Sequence, residues 1–185
     1  MPGERERPCE IVTPPLGADR AERLEALLAP ARELGFRIAR ESATHIHFDA
    51  APLRSARTVA RMVRFFERWG PQLKQRVGTN PACRRLGGWL DELRRTLSEP
   101  GFEDLDRLAA RARLQAVGLS KYCDFNLKNV VHDLPGKPIF EVRILPGLAA
   151  SAPILKNIDF FETLLRRLVE AEPTEEAAKE LLRTV

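Results

Sequence analysis

The sequence predicts an α+β domain with helices on one face of a β-sheet and a functional site on the other face. Three short segments, 9–13, 44–49 and 139–144, alternate polar and apolar residues as β-strands do. Longer segments between them repeat apolar residues at helical spacing. The resulting order of strand, helix, strand, helices, strands and helix favours the α+β class.

The second strand-like segment indicates what the polar face carries. His45, His47 and Asp49 share one face, and Ile46 and Phe48 share the other. A face with two imidazoles and a carboxylate costs too much to form a core. We therefore interpret it as the floor of a site.

The first and third segments repeat this design. Glu141 and Arg143 lie opposite three apolar residues of the third segment, and Glu10 lies opposite Cys9 and Ile11 in the first. The three segments together predict a sheet that is apolar on one side and polar on the other.

The remaining elements follow from local signals. Asp19 is placed to cap a helix over 20–34, which Gly35 would end, and 36–40 reads as a short strand. A second helix begins at Ser55, and Gly70 with Pro71 kinks or ends it. Leucines over 86–97 predict a third helix, and Leu105 and Leu108 predict a shorter one, followed by an extended segment over 122–131. A helix from Ser151 and a last helix capped by Thr174 complete the chain.

Composition and length indicate one globular domain. The chain has 185 residues, of which 44% are hydrophobic and 30% charged, with a formal net charge of +4. We predict a poorly ordered N-terminus over 1–8, a domain over 9–171 and a C-terminal helix over 172–185. The three separated cysteines suggest reduced thiols in the cytoplasm. No apolar run is long enough to span a membrane, and no basic block indicates nucleic-acid binding.

The residues on the polar face suggest phosphate and metal chemistry. His45 and His47 project to the same side, where they could share a metal or serve only the structure. Carboxylates on neighbouring strands, here Glu10 and Glu141, can hold a hard cation that grips phosphate oxygens. Arg143 could bind a phosphate or a carboxylate with its planar fork, or simply pair with Glu141.

Two further groups are candidates for ligand binding. Arg84 and Arg85 end a polar turn before a helix, which suits either an anion site or an ordinary helix start. Tyr122, Asp124 and Asn126 share one face of the 122–131 segment, as a ligand-orienting set or as an exposed strand edge. No glycine-rich phosphate loop is present, so a nucleotide would have to be held by metal and arginine.

Four segments, in this order, resemble motifs of the amidoligase family, which belongs to the carboxylate–amine ligase superfamily. The resemblance covers most of the chain, from about residue 9 to 170. The four segments are Glu10-Ile11-Val12-Thr13-Pro14-Pro15-Leu16, Thr44-His45-Ile46-His47-Phe48-Asp49, Lys121-Tyr122 through Asn126-Leu127, and Phe140-Glu141-Val142-Arg143.

The resemblance implies a glutamine-synthetase-like fold, with a curved antiparallel sheet backed by helices. It implies binding of ATP with Mg²⁺ or Mn²⁺, activation of a small-molecule or peptide carboxylate as an acyl phosphate, and attack by an amine or ammonia. The roles it implies are metal binding by Glu10, His45 and Glu141, catalysis by Arg143, Glu141 and His47, and cofactor binding by Arg84, Arg85, Asn126 and Arg143.

One departure from the family concerns the N-terminus. The family has a G-x-E-x-E strand before the first motif, whereas nine residues precede Glu10, and Glu4 and Glu6 there lack apolar alternation. We therefore expect an open sheet edge that a second copy or a partner strand could cover. Two alternatives to the ligase stay open: a non-catalytic binding or assembly module, and a metal-dependent hydrolase that uses His45 and His47.

Overall fold

The structure, a computed structural model, describes residues 10–83, 86–132 and 138–183. Within them the chain forms seven α-helices and three strands, which confirms the predicted α+β class. In chain order these are α1 (Arg20–Glu33), β1 (Ala43–Asp49), α2 (Ala56–Val77), α3 (Asp91–Leu97), α4 (Arg107–Gln115), β2 (Phe125–Asn126), α5 (Lys128–His132), β3 (Ile139–Pro146), α6 (Ser151–Glu170) and α7 (Glu175–Arg183). Short 3₁₀ turns cover Ala51–Leu53 and Phe102–Asp104.

The strands form one antiparallel sheet in the order β1-β3-β2. Its register brings His47 of β1 and Asn126 of β2 opposite Glu141 of β3, one from each side. The β1–β3 register shifts between Thr44 and Ile46. The central strand therefore carries the polar residue on which both neighbouring strands converge.

The apolar face of the sheet packs against α2 and α6. The Phe66 ring of α2 stacks on the rings of Phe125 and Phe140, with centroids 4.0 and 5.8 Å apart. Phe161 of α6 lies 6.5 Å from Phe125 between ring centroids. On β3, Phe140, Val142 and Ile144 of this face are fully buried. Burial of this face leaves the opposite face of β3 for polar residues.

Two of the predicted helix starts are confirmed by side-chain caps. The Ser55 hydroxyl accepts a hydrogen bond from Thr58 N–H at 3.0 Å, and the Thr174 hydroxyl accepts one from Ala177 N–H at 3.2 Å. Asp19 occupies the N-cap position of α1, as predicted, but its side chain makes no cap hydrogen bond. Gly70 and Pro71 were predicted to kink or end a helix; they do not end it, since α2 continues through both to Val77, and the kink stays a prediction.

Two predicted strands are absent from the described sheet. Residues 10–13 and 36–40 have no strand pairing, and Val12 is 73% exposed. The extended segment predicted over 122–131 shortens to the two residues of β2, after which α5 begins. An alternating pattern is compatible with a β-strand, but the backbone hydrogen bonds of a strand require a neighbouring strand.

The C-terminal helix joins the core. Ala178 and Leu181 of α7 are buried and belong to the same apolar cluster as the sheet. The predicted limits at 9–171 and 172–185 stay predictions, and the predicted N-terminal tail over 1–8 lies outside the described residues. Among the helices of the described ranges, none is long and apolar enough to span a membrane.

Candidate functional site

Glu141 lies at the centre of the polar face of the sheet. Its side chain alternates with the buried Phe140 and Val142, so it points away from the apolar core. It is nevertheless only 8% exposed, and Arg143 beside it is 9% exposed. Two charged residues are thus held in a nearly water-free position, where buried charges require partners.

Four side chains surround the Glu141 carboxylate. Arg143 Nη1 donates to Oε1 at 2.8 Å, and Asn126 Nδ2 donates to Oε2 at 2.7 Å. His45 Nδ1 lies 3.1 Å and His47 Nε2 lies 3.6 Å from Oε1. Residues from all three strands therefore meet at one carboxylate, as the sequence placed Glu141, Arg143, His45 and His47 on one face.

The carboxylate is held in its ionised form. Burial raises the pKa of Glu141, but interactions with His45, His47 and Asn126, together with the charge of Arg143, outweigh burial and hold the pKa far below its ordinary range. An ionised carboxylate has about four acceptor positions. Oε1 contacts Arg143, His45 and His47, whereas Oε2 contacts Asn126.

Arg143 has an unused donor. Its Nη1 binds Glu141, but its buried Nε–H has no hydrogen-bond partner among the described residues. A buried donor without a partner is costly, on the order of 1–3 kcal/mol. An anionic oxygen bound at this face would relieve that cost.

Asn126 serves Glu141 in this structure. Its amide nitrogen donates to Glu141, while its Oδ1 accepts from Lys128 N–H at 2.9 Å at the start of α5. Asn126 is only 4% exposed. The side chain therefore fixes the Glu141 carboxylate, and its sequence-predicted role in holding a nucleotide stays a prediction.

The two histidines form the exposed rim of the site. The His45 and His47 side chains are 30% and 48% exposed, against 10% for Glu141. Nδ1 of His45 faces Glu141 Oε1 at 3.1 Å, so the two side chains lie side by side at the edge of the site.

The other sequence-predicted site residues lie apart from this centre or outside the described ranges. Glu10 is exposed and lies outside the sheet, so its metal role stays a prediction. Arg84 and Arg85 lie outside the described residues. Asp49 accepts a hydrogen bond from Ala51 N–H at 2.9 Å and so stabilises the turn after β1.

Sequence reasoning missed a second charged pair beside the site. Asp124 precedes β2, its backbone oxygen accepts from Arg143 N–H at 3.0 Å, and its carboxylate lies 2.6 Å from Lys74 Nζ of α2. Asp124 Oδ1 also accepts from Gly87 N–H at 3.0 Å. The sequence groups Asp124 with Tyr122 and Asn126 on one face, but no local pattern links it to a lysine fifty positions away.

Two observations limit the chemistry of the site. Burial is the main cause that raises the pKa of the Cys123 thiol, to about 11, so this thiol is a poor nucleophile at neutral pH. Within the described ranges, no group of three His, Cys, Asp or Glu side chains has the arrangement of a metal site, although Glu141 lies beside both His45 and His47. A hydrolase built on His45 and His47 would require such a third protein ligand.

Comparison with known proteins agrees with the motifs. A family model with the description "putative amidoligase enzyme" matches residues 2–165, which is most of the chain. No significant match is found among curated proteins or among solved structures.

Proposed function

Since the chain belongs to the amidoligase family, we propose that it is an ATP-dependent ligase that joins a carboxylate to an amine or to ammonia through an acyl phosphate. The observation that carries the proposal is the ionised, buried Glu141 beside Arg143, whose Nε–H has no partner within the described part of the chain. Phosphoryl transfer requires neutralisation and positioning of charge more than it requires a covalent nucleophile.

The residues present fit a nucleotide with a divalent cation. Mg²⁺ is usually bound through one or two carboxylates together with phosphate oxygens, so a set of three protein ligands is not required. Glu141 and His45 would bind the cation, with Glu10 as a further ligand. When bound, the nucleotide supplies the phosphoryl group that activates the substrate carboxylate, and the cation, Mg²⁺ or Mn²⁺, neutralises phosphate charge.

Each residue of the site then has a separate task. Arg143 stabilises negative charge on the transferred group with its free Nε–H, and Asn126 keeps Glu141 in place. His47 is at the exposed rim of the site and would lie on the side from which the amine approaches. Arg84 and Arg85 would extend the phosphate contacts.

We also propose, from the resemblance to the family, the shape of the whole sheet, the substrates and the location of the protein. The described three-stranded sheet would be part of a curved, glutamine-synthetase-like sheet, with ATP on its polar face. The substrates would be a small-molecule or peptide carboxylate and an amine, with neither nucleic acid nor membrane as a partner. We place the protein in the cytoplasm.

One observation favours a second candidate, a binding or assembly module without catalysis. Residues 10–13 and 36–40 have strand-like patterns, lie outside the sheet and expose apolar side chains; Phe36 is 51% exposed. A second copy or a partner strand at the edge of the sheet would cover them.

Calorimetry with MgATP separates the two candidates. We expect the wild type to bind ATP only with magnesium, and Glu141→Gln to weaken binding at least tenfold because the buried charge is removed. Glu172→Gln is the matched control, since Glu172 pairs with Arg64 away from the sheet at 2.6 Å. Failure of the wild type to bind would exclude the ligase and favour the module.

A further inference from the structure

The second charged pair, Lys74 with Asp124, adjoins the Glu141–Arg143 pair. Asn126 lies opposite Glu141, so the antiparallel register places Asp124 opposite Arg143, and the hydrogen bond from Arg143 N–H to Asp124 O at 3.0 Å agrees. Asp124 directly precedes β2, and its own N–H donates to Gly87 O at 2.9 Å. The alternation of β2, extended by this one residue, assigns the Asp124 side chain to the polar face with Asn126.

Asp124 could compete with Glu141 for Arg143. Residues directly opposite in an antiparallel pair have Cβ atoms about 4.5–5.5 Å apart, which is within reach of a long guanidinium. Yet Arg143 Nη1 binds Glu141 at 2.8 Å. The acceptor positions of Asp124 are instead taken by Lys74 and by Gly87 N–H.

Lys74 is the cation that satisfies Asp124. Its Nζ lies 2.6 Å from Oδ2, and the Asp124 side chain is only 13% exposed. A carboxylate in such a position that loses its cation must find another one or remain as an uncompensated charge. Across the strand pair, the cation that the register sets opposite Asp124 is Arg143.

We propose that Lys74 is a positioning residue of the site: by neutralising Asp124, it keeps Arg143 paired with Glu141 and leaves the Arg143 Nε–H available for an anion. Lys74 acts through Asp124 and does not itself contact the ligand. The proposal rests on the proposed function only for the identity of that anion, the phosphates of ATP.

The test is a charge rescue between Lys74 and Asp124. Lys74→Met removes the cation and keeps most of the length of the side chain, whereas Asp124→Asn removes the charge and keeps an oxygen for Gly87 N–H. Lys74→Met should disturb Arg143, and the double variant should restore it, because the freed charge is then absent. Lys179→Met is the matched control, since Lys179 pairs with Glu175 at the same 2.6 Å on α7.

The first readout needs no ligand. In ¹⁵N-labelled protein, the Nε–H signal of Arg143 is identified by its absence in Arg143→Lys. We expect this signal to shift in Lys74→Met, to return in Lys74→Met/Asp124→Asn and to stay in place in Lys179→Met. A signal that does not move in Lys74→Met, or that the double variant fails to restore, would overturn the proposal.

The second readout is the affinity for MgATP. We expect Lys74→Met to weaken it about tenfold and the double variant to restore it to within about twofold of the wild type. An equally weakened double variant would mean that Lys74 contacts the ligand directly, which contradicts the proposal. If the wild type binds no MgATP, the ligase function fails, whereas the Arg143 signal still decides the role of Lys74.

Discussion

Strand β3 and the segment 34–40 have similar patterns in the sequence and opposite environments in the structure. Phe140, Val142 and Ile144 alternate with polar residues and are each 0% exposed. In the segment 34–40, Phe36 and Ile38 alternate around Arg37 in the same way and are 51% and 48% exposed, and Leu34 at the end of α1 is 77% exposed.

The difference lies in the neighbours of the two segments. β3 has a strand on each side and the aromatic face of α2 and α6 beneath it. The segment 34–40 has no strand pairing and touches the rest of the molecule near its end, where Asn80 Nδ2 donates to Arg40 O at 2.7 Å. Alternation assigns the faces of a strand, but tertiary neighbours decide whether a face is buried.

The largest expected effect comes from shortening an equivalent aromatic residue in each region. Phe140→Ala should lower the free energy of unfolding by about 3–5 kcal/mol, because it leaves a cavity against Phe66. Phe36→Ala should change it by less than about 0.5 kcal/mol, because the ring is half exposed. Urea unfolding measures both.

The comparison would fail if the two variants lost similar stability. A large loss for Phe36→Ala would mean that the segment 34–40 is buried in solution, for example against a second copy. Repeating the measurement at several protein concentrations identifies that case, since self-association makes stability depend on concentration.

A smaller effect concerns the polar face of β3 and its response to acid. The folded-state pKa of Glu141 lies below its ordinary value of 4.5, so the ionised carboxylate stabilises the fold above that value and this stabilisation is lost as the pH falls further. Below pH 4.5 the wild type should lose stability more steeply than Glu141→Gln, by up to about 1.4 kcal/mol per pH unit.

This prediction concerns how steeply the free energy of unfolding falls with pH in each protein, and not its absolute value. Glu141→Gln also leaves the buried Arg143 without its anion, which lowers stability at every pH. Equal slopes for the two proteins between pH 5 and 3 would contradict an ionised Glu141 in the folded state. Urea unfolding at each pH provides the data.

The sequence predicted the parts of the site that depend on alternation along one strand. His45 with His47 and Glu141 with Arg143 follow from a period of two, and the structure places them on one face. The sequence also predicted Asn126 on a polar face, where it contacts Glu141. These relations are local, so one strand contains the information.

The parts that were missed depend on contacts between distant segments. Lys74 lies on α2 at a position that the helical pattern alone would assign to an ordinary surface lysine. Its pairing with Asp124 depends on how that helix packs against the sheet. The strand predicted over 10–13 was wrong for a related reason, since its alternation does not supply a neighbouring strand. Such relations are set by the fold as a whole.

The smallest expected effect tests the contact between the two compared regions. Gly147 directly follows β3, and a Cβ there would lie 2.7 Å from Ile38 Cγ2 and 2.7 Å from Ser42 Cβ. Gly147→Ala should therefore cost about 1 kcal/mol through overpacking. Ile38→Ala in the same chain should recover part of this cost, because it removes one of the two close atoms. If Gly147→Ala left urea unfolding unchanged, the segment 34–40 would not be seated on the end of β3, and the two regions would be independent in solution.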